Sequence, residues 1–195
     1  MKLKLALLFF IFGVFCIFGV FYLKNYFFLQ PKEYHSKVDL NKESLFKLLS
    51  ENIPSMYSYD GRKIVEIGPE EKNNSSTIMS ELALYFKGQK DESIILHFWA
   101  SWCDPCIGEL PELIAFAQKN KNYKVVLISQ DYDADGLKKF IQIFPEMGTD
   151  LFVGIWDKDG IMSSPLGIDK LPATIVIGSQ NQPRIIYGVV NWRGM

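Results

Sequence analysis

Cys103 and Cys106 stand two residues apart in Phe98-Trp99-Ala100-Ser101-Trp102-Cys103-Asp104-Pro105-Cys106, where a buried-strand pattern turns into a helical one. On a helix such sulfurs lie one turn apart, within the separation a disulfide requires, so the pair can open and close without a change of fold. The chemistry this spacing points to is thiol–disulfide exchange. Cys103 opens the helix, so its sulfur lies over free backbone N–H groups and the positive end of the helix dipole, which favours thiolate over thiol. Cys103 is the expected nucleophile. Cys106, one turn further in, is the expected resolving sulfur that breaks a mixed disulfide by intramolecular attack. Asp104 slightly disfavours negative charge on Cys103, and Pro105 suits a first helical turn, where a missing N–H costs nothing. A C-x-x-C by itself also matches half of a zinc site, but the other candidates, His35, His97 and Cys16, do not complete one. No metal and no cofactor is expected.

The elements that must hold this pair follow from the flanks. Ile94 to Trp99 reads as a central strand buried on both faces, and Glu109 to Lys119 continues the helix opened at Cys103. Val125 to Ser129 is a second buried strand, and a helix from about Asp135 runs to Phe144, where Pro145 stops it. This is a parallel β-α-β-α crossover unit. The final third reads as antiparallel: Leu151 to Ile155, Ala173 to Ile177, a turn at Ser179 to Pro183, and Arg184 to Val190. Upstream, Asp60-Gly61 marks a turn before a strand at Arg62 to Ile67. A polar loop at Asn73 to Thr77 leads into a helix at Ile78 to Phe86. Asn41 caps a further amphipathic helix that carries Leu45, Leu48, Leu49 and Ile53 and ends before Pro54. Its polar face lacks the basic residues of a membrane-surface helix, so packing on the domain is expected.

A chain of 195 residues with 48% hydrophobic and 22% charged residues accommodates one packed domain and an appendage. A net charge of -1 without a basic run excludes a nucleic-acid footprint. The appendage is Leu5 to Leu23, which holds no charge and is long enough to span a bilayer. Lys2 and Lys4 precede it and no small-x-small site follows, so an uncleaved signal-anchor is expected, with a removed signal peptide as the alternative. The expected organisation is a transmembrane helix over 1–24, a juxtamembrane linker with the amphipathic helix over 25–55, and the redox domain over 56–195. Cys16 falls inside the span, preceded by Phe15 where a lipidated cysteine needs a small residue, and reads as an apolar filler. Cys103 and Cys106 then have only each other.

Phe98 to Cys106 resembles the active site of the thioredoxin superfamily, and Cys106-Ile107-Gly108-Glu109-Leu110-Pro111-Glu112-Leu113 is similar to its TlpA/ResA-like branch. That branch comprises membrane-tethered extracytoplasmic thiol–disulfide oxidoreductases, including reductases of cytochrome c maturation. The resemblance covers roughly Tyr57 to Trp192. It implies an α/β thioredoxin-like fold, a central mixed sheet flanked by helices, and a redox disulfide between Cys103 and Cys106. It implies that Glu109 tunes protonation of the thiols, that Pro111 bends the active-site helix, and that Leu171-Pro172-Ala173-Thr174 is the cis-proline loop. Pro172 would face the dithiol, with the Leu171 backbone pairing an extended substrate. Trp102 would wall the site, while Trp99 fits either the wall or the core.

Two departures stand out. His97 occupies the place of the buried acid of thioredoxins, so Glu109 or His97, the latter as a modulator, would have to replace it. The chain ends at Trp192-Arg193-Gly194-Met195, where the family adds a helix over one sheet face. The Asn41 to Ile53 helix, a partner chain or further residues are expected to cover that face. The resemblance implies a reductase of cysteine-containing exported proteins, apocytochrome c among them, fed by a membrane dithiol donor. It would be a single-pass protein of the bacterial inner membrane with its domain on the periplasmic side. The alternatives are a thiol-dependent peroxidase, a non-catalytic binding module, or metal delivery.

Overall fold

The computed structural model describes residues 40–52, 57–59, 64–66, 83, 93–178 and 182–195. Its centre is a seven-stranded mixed sheet. The strands are β1 (Tyr57–Tyr59), β2 (Ile64–Glu66), β3 (Ser93–Trp99), β4 (Tyr123–Ser129), β5 (Phe152–Trp156), β6 (Ala173–Ile177) and β7 (Arg184–Tyr187), in spatial order β2-β1-β5-β4-β3-β6-β7. β3, β4 and β5 run parallel, and β6 and β7 extend the sheet antiparallel beyond β3.

Alternation along β3 splits its side chains between two cores. Ile94, Leu96 and Phe98 join Val126, Ile128, Ile155 and Ile175 on one face. That face is covered by helix α1 (Lys42–Asn52), whose Leu45 and Leu49 are fully buried in the same cluster. Asn41 caps α1 through Oδ1, which accepts the Ser44 N–H at 2.8 Å. Each buried leucine contributes roughly 1.5–3 kcal/mol. Of the expected covers for a sheet face, α1 is one that the structure places, and the packed unit therefore begins before residue 56.

Ile95, Trp99, Val125 and Leu127 face the opposite way, under helices α2 (Asp104–Lys119) and α3 (Ala134–Ile143). Leu110, Leu113 and Phe116 of α2 and Leu137 and Phe140 of α3 fill this second core, and Trp192 closes it from a 3-10 turn (Trp192–Gly194).

One sequence expectation is corrected. β5 is not antiparallel in its setting: it lies parallel to β4, because α3 and the 3-10 turn Pro145–Gly148 carry the chain back to the starting end of the sheet. Only its other edge is antiparallel, against β1, a three-residue strand too short for a readable alternation. Their contact depends on Gly154, which lies opposite Tyr59; a Cβ there would come within 2.5 Å of the Tyr59 carbonyl oxygen.

The expected anchor, the linker preceding α1, the Asp60-Gly61 turn and the 73–77 loop lie outside the described residues. So do the 78–86 helix, apart from residue 83, and the tip of the β6–β7 turn. Among the described residues no helix is long and apolar enough to cross a membrane.

Candidate active site

β3 delivers the redox loop at its C-terminal end. Ala100 O accepts the Cys103 N–H at 3.1 Å, and Cys103 then caps α2 in an extended conformation. Its Sγ accepts the Cys106 backbone N–H at 3.3 Å. The two sulfurs are joined as a disulfide with Cα atoms 5.3 Å apart. Cys103 is 6% exposed and Cys106 2%, so the outer sulfur is the one that begins the helix. Pro105 lies in the first turn, and Pro111 stands inside α2.

Asp131, just past β4, fixes the loop from below. It is buried, and its carboxylate accepts the Ser101 N–H at 3.0 and 3.2 Å, the Ser101 hydroxyl, and the Ser129 hydroxyl at 2.6 Å. The Asp131 carbonyl in turn accepts the Trp156 indole N–H at 2.7 Å.

A cleft of about 570 Å³ opens beside Cys103 and is lined by Trp102, Tyr132, Asp157, Asp169 and Leu171 among others. Trp102 and Tyr132, 51% and 78% exposed, stack with ring centroids 5.4 Å apart at 7°. The Leu171-Pro172 peptide bond is cis. Leu171 shares the cleft with Cys103, Pro172 is buried, and its carbonyl accepts the Gly188 N–H at 2.8 Å. Trp99 does not wall the cleft; it is buried against Phe140, with centroids 5.1 Å apart. Asp157 is buried and accepts the N–H groups of Met162 and Ser163, and burial raises its pKa against those bonds.

The structure brings His97 of β3 and Glu109 of α2 together. Both side chains are 1% exposed, and His97 Nε2 lies 3.6 Å from Glu109 Oε1. His97 Nδ1 is 3.0 Å from the Thr174 hydroxyl, its cross-strand partner. Glu109 Oε2 accepts the Val190 N–H at 2.9 Å and the Trp192 indole N–H at 3.0 Å. Burial lowers the His97 pKa to about 3. Burial also raises that of Glu109, against the Val190 and Trp192 bonds and with a further push from Glu112. Glu109 is thus no solvated helix glutamate. It shares the inward side of α2 with Cys106, one turn away.

Asp131, Tyr132, Asp157 and Thr174 were not singled out from sequence. The first three follow the C-terminal ends of parallel strands, where sites of such sheets gather, and that position is the signal that finds them. Among the described residues no three His, Cys, Asp or Glu side chains converge on a metal position.

A family model described as thioredoxin-like matches residues 91–183. The thiol-disulfide oxidoreductase ResA of Bacillus thuringiensis subsp. konkukian is 30% identical over 116 residues, 58% of this chain and 64% of that protein. The sporulation thiol-disulfide oxidoreductase A of Bacillus subtilis is 25% identical over 103 residues, 52% of this chain and 61% of that protein. The chain therefore spans less than two thirds of either relative. A secreted Mycobacterium tuberculosis disulfide oxidoreductase has the same fold, with a TM-score of 0.50 and 14% identity over 74% of this chain and 93% of that one.

Proposed function

We infer that the chain is a TlpA/ResA-like member of the thioredoxin superfamily and that it exchanges disulfides with cysteine pairs of other proteins through Cys103 and Cys106. The observation that carries this is the asymmetry of the two sulfurs: Cys103 caps α2 and receives a backbone N–H, while Cys106 lies deeper beneath it.

In the reducing direction the Cys103 thiolate attacks a client disulfide, forming a mixed disulfide and expelling one client thiolate, which takes up a proton. Cys106 then loses its proton and attacks Cys103 Sγ, closing the protein disulfide and expelling the second client thiolate. Two electrons pass to the client. A dithiol donor restores the reduced pair. Reduction is the favoured direction because Asp104 beside Cys103 opposes its thiolate and so weakens the protein as an oxidant.

The clients are cysteine-containing exported proteins, with apocytochrome c as one candidate. Leu5 to Leu23 would hold the domain on the outer side of the cytoplasmic membrane, where a membrane dithiol supplies electrons. The cleft with Trp102 and Leu171 is the proposed client seat. A Cys106→Ser variant tests the reading, since it stalls at the mixed disulfide. Adducts released by reductant and absent from Cys103→Ser, Cys106→Ser protein are the expected outcome. Adducts on Cys16 alone contradict it.

A further inference from the structure

The cleft beside Cys103 carries an uneven charge: the carboxylates of Asp104, Asp157 and Asp169 line it with a single cation, Lys158. Asp157 is committed to the loop after β5, since it is buried and accepts the Met162 and Ser163 N–H groups. Lys158 Nζ leans over the Trp156 ring, 5.7 Å from its centroid. Asp104 and Asp169 remain. Both are exposed, one in the first turn of α2 and the other two residues before Leu171, and neither forms an ion pair among the described residues. No third acidic, histidine or cysteine side chain converges with them on a metal position. Two separated carboxylates suit a long cationic side chain better than a metal ion.

Two further features of the same lining bear on what fills it. The stacked Trp102 and Tyr132 rings are largely exposed, which leaves flat aromatic surface open beside the carboxylates. A guanidinium matches both, because it is planar, stacks on aromatic rings and pairs with carboxylates. Gln130 also lines the cleft, and its buried Nε2 has no hydrogen-bond partner among the described residues. An unused amide donor is an unmet hydrogen bond, and a peptide carbonyl is an acceptor that answers it. The occupant that fits is a stretch of polypeptide with an arginine.

We propose that the cleft seats an arginine close in sequence to the client cysteine under attack, held by Asp104, Asp169 and the Trp102–Tyr132 rings, and that this guanidinium offsets Asp104 and so raises the thiolate share of Cys103. This rests on the exchange reading above and names the client by its chemistry. In the free protein Asp104 opposes the thiolate beside it. A guanidinium seated against Asp104 lies well within the Debye length of about 10 Å at 0.1 M salt and cancels that opposition. The nucleophile is therefore strongest when a suitable client occupies the cleft. The charged groups that share the cleft with Cys103 are Asp104 of α2, Asp157 and Lys158 after β5, and Asp169 before the cis-proline, and Tyr132 after β4 adds a phenol. Asp169 is the specificity-determining member, since it is exposed and not adjacent in sequence to either cysteine.

The test uses the full chain in detergent, reduced, with two peptide disulfides that differ only in carrying arginine or its uncharged isostere citrulline beside the cysteine. At low salt kcat/KM for the arginine peptide should exceed that for the citrulline peptide about three- to tenfold, the combined effect of an exposed ion pair and a cation–π contact. Salt at about 0.5 M should shrink this ratio, and Asp169→Asn should bring it toward one. Comparing the two peptides within one protein cancels any general effect of the substitution. Cys103 is then probed directly, with peptides in which serine replaces the cysteine. At saturation the arginine form should lower the pH midpoint of Cys103 alkylation by iodoacetamide, and the citrulline form should not. A ratio near one, a ratio that Asp169→Asn leaves unchanged, or equal midpoints with the two serine peptides overturns the proposal. Failure to reduce either peptide disulfide defeats the exchange reading instead, and the midpoint, which needs no exchange, still decides the seat.

Discussion

Ser101 gives both its backbone N–H and its hydroxyl to the buried carboxylate of Asp131, so the turn before Cys103 is tied to the end of β4. Asp131→Ala leaves the Ser101 and Ser129 groups without that acceptor. Loss of a hydrogen bond to a charged group costs roughly 1.5–3 kcal/mol, and several converge here, so a loss of about 3 kcal/mol in urea unfolding is expected. The same variant should narrow the difference in alkylation rate between the reduced sulfurs, because the turn no longer fixes Cys103 as a cap. Unchanged stability would remove Asp131 as the anchor.

The stacked Trp102 and Tyr132 rings project beside the disulfide with little packing to lose. Tyr132→Ala should therefore change stability by less than about 0.5 kcal/mol. An aromatic contact is worth about 0.5–1.5 kcal/mol, so KM for a peptide disulfide should rise roughly two- to tenfold while kcat holds. A KM that does not move excludes the stack from client binding.

What the sequence made legible divides by the range of the forces involved. The β3–α2 junction was readable because Ile94 to Trp99 is a continuous apolar run and the cysteines, Pro105 and Asp104 are local to one turn. The α1 helix was readable from its cap and its leucine spacing, and it is one of the covers expected for a sheet face. Partners far apart in the chain were not readable. Glu109 meets Val190 and Trp192 across more than 80 positions, and His97 meets Thr174 across 77. No local pattern encodes such pairings, because they arise from strand order and register. The parallel setting of β5 was missed for the same reason.

His97 gives a signed pH dependence. Its folded pKa lies near 3 against an ordinary 6.5, so the stability tied to the neutral ring is complete above 6.5 and is lost as pH falls toward about 3. The slope for one such group is roughly 1.4 kcal/mol per pH unit. His97→Asn should flatten this acid limb in denaturant melts. Glu109 has the opposite sign: its raised pKa gives stability that is complete below 4.5 and lost as pH rises through the folded value. Glu109→Gln should therefore gain on the unaltered chain as pH increases. Parallel curves for His97→Asn and the unaltered chain between 6.5 and 3 would contradict burial as the cause.

Leu49 of α1 is fully buried among Ile94, Leu96 and Val126. Leu49→Ala should cost about 2–5 kcal/mol, the usual range for a leucine truncated in a core. Because α1 lies on the face opposite α2, the rate of Cys103 attack measured below the unfolding transition should remain unchanged. A loss below about 1 kcal/mol would show that α1 is not an integral cover of the sheet.

Asp104 bears on redox direction. It occupies the first turn of α2, next to the sulfur that caps it, and its side chain is exposed. Two effects of opposite sign meet there, since a first-turn carboxylate complements the helix dipole while opposing a thiolate on Cys103. In the disulfide only the first operates; in the reduced form the second is added, so Asp104 favours the oxidised protein and makes the pair a better reductant. Asp104→Asn should then make the pair more oxidising. Solvent and salt screen the interaction, so the change should stay within about 30 mV, equivalent to roughly one pKa unit for a two-electron couple. Equilibration with glutathione at low and at 0.5 M salt measures it, and added salt should shrink the difference between the two proteins. A shift toward a more reducing potential in Asp104→Asn would mean that Asp104 does not oppose the Cys103 thiolate, and the argument for reduction from this residue would fail.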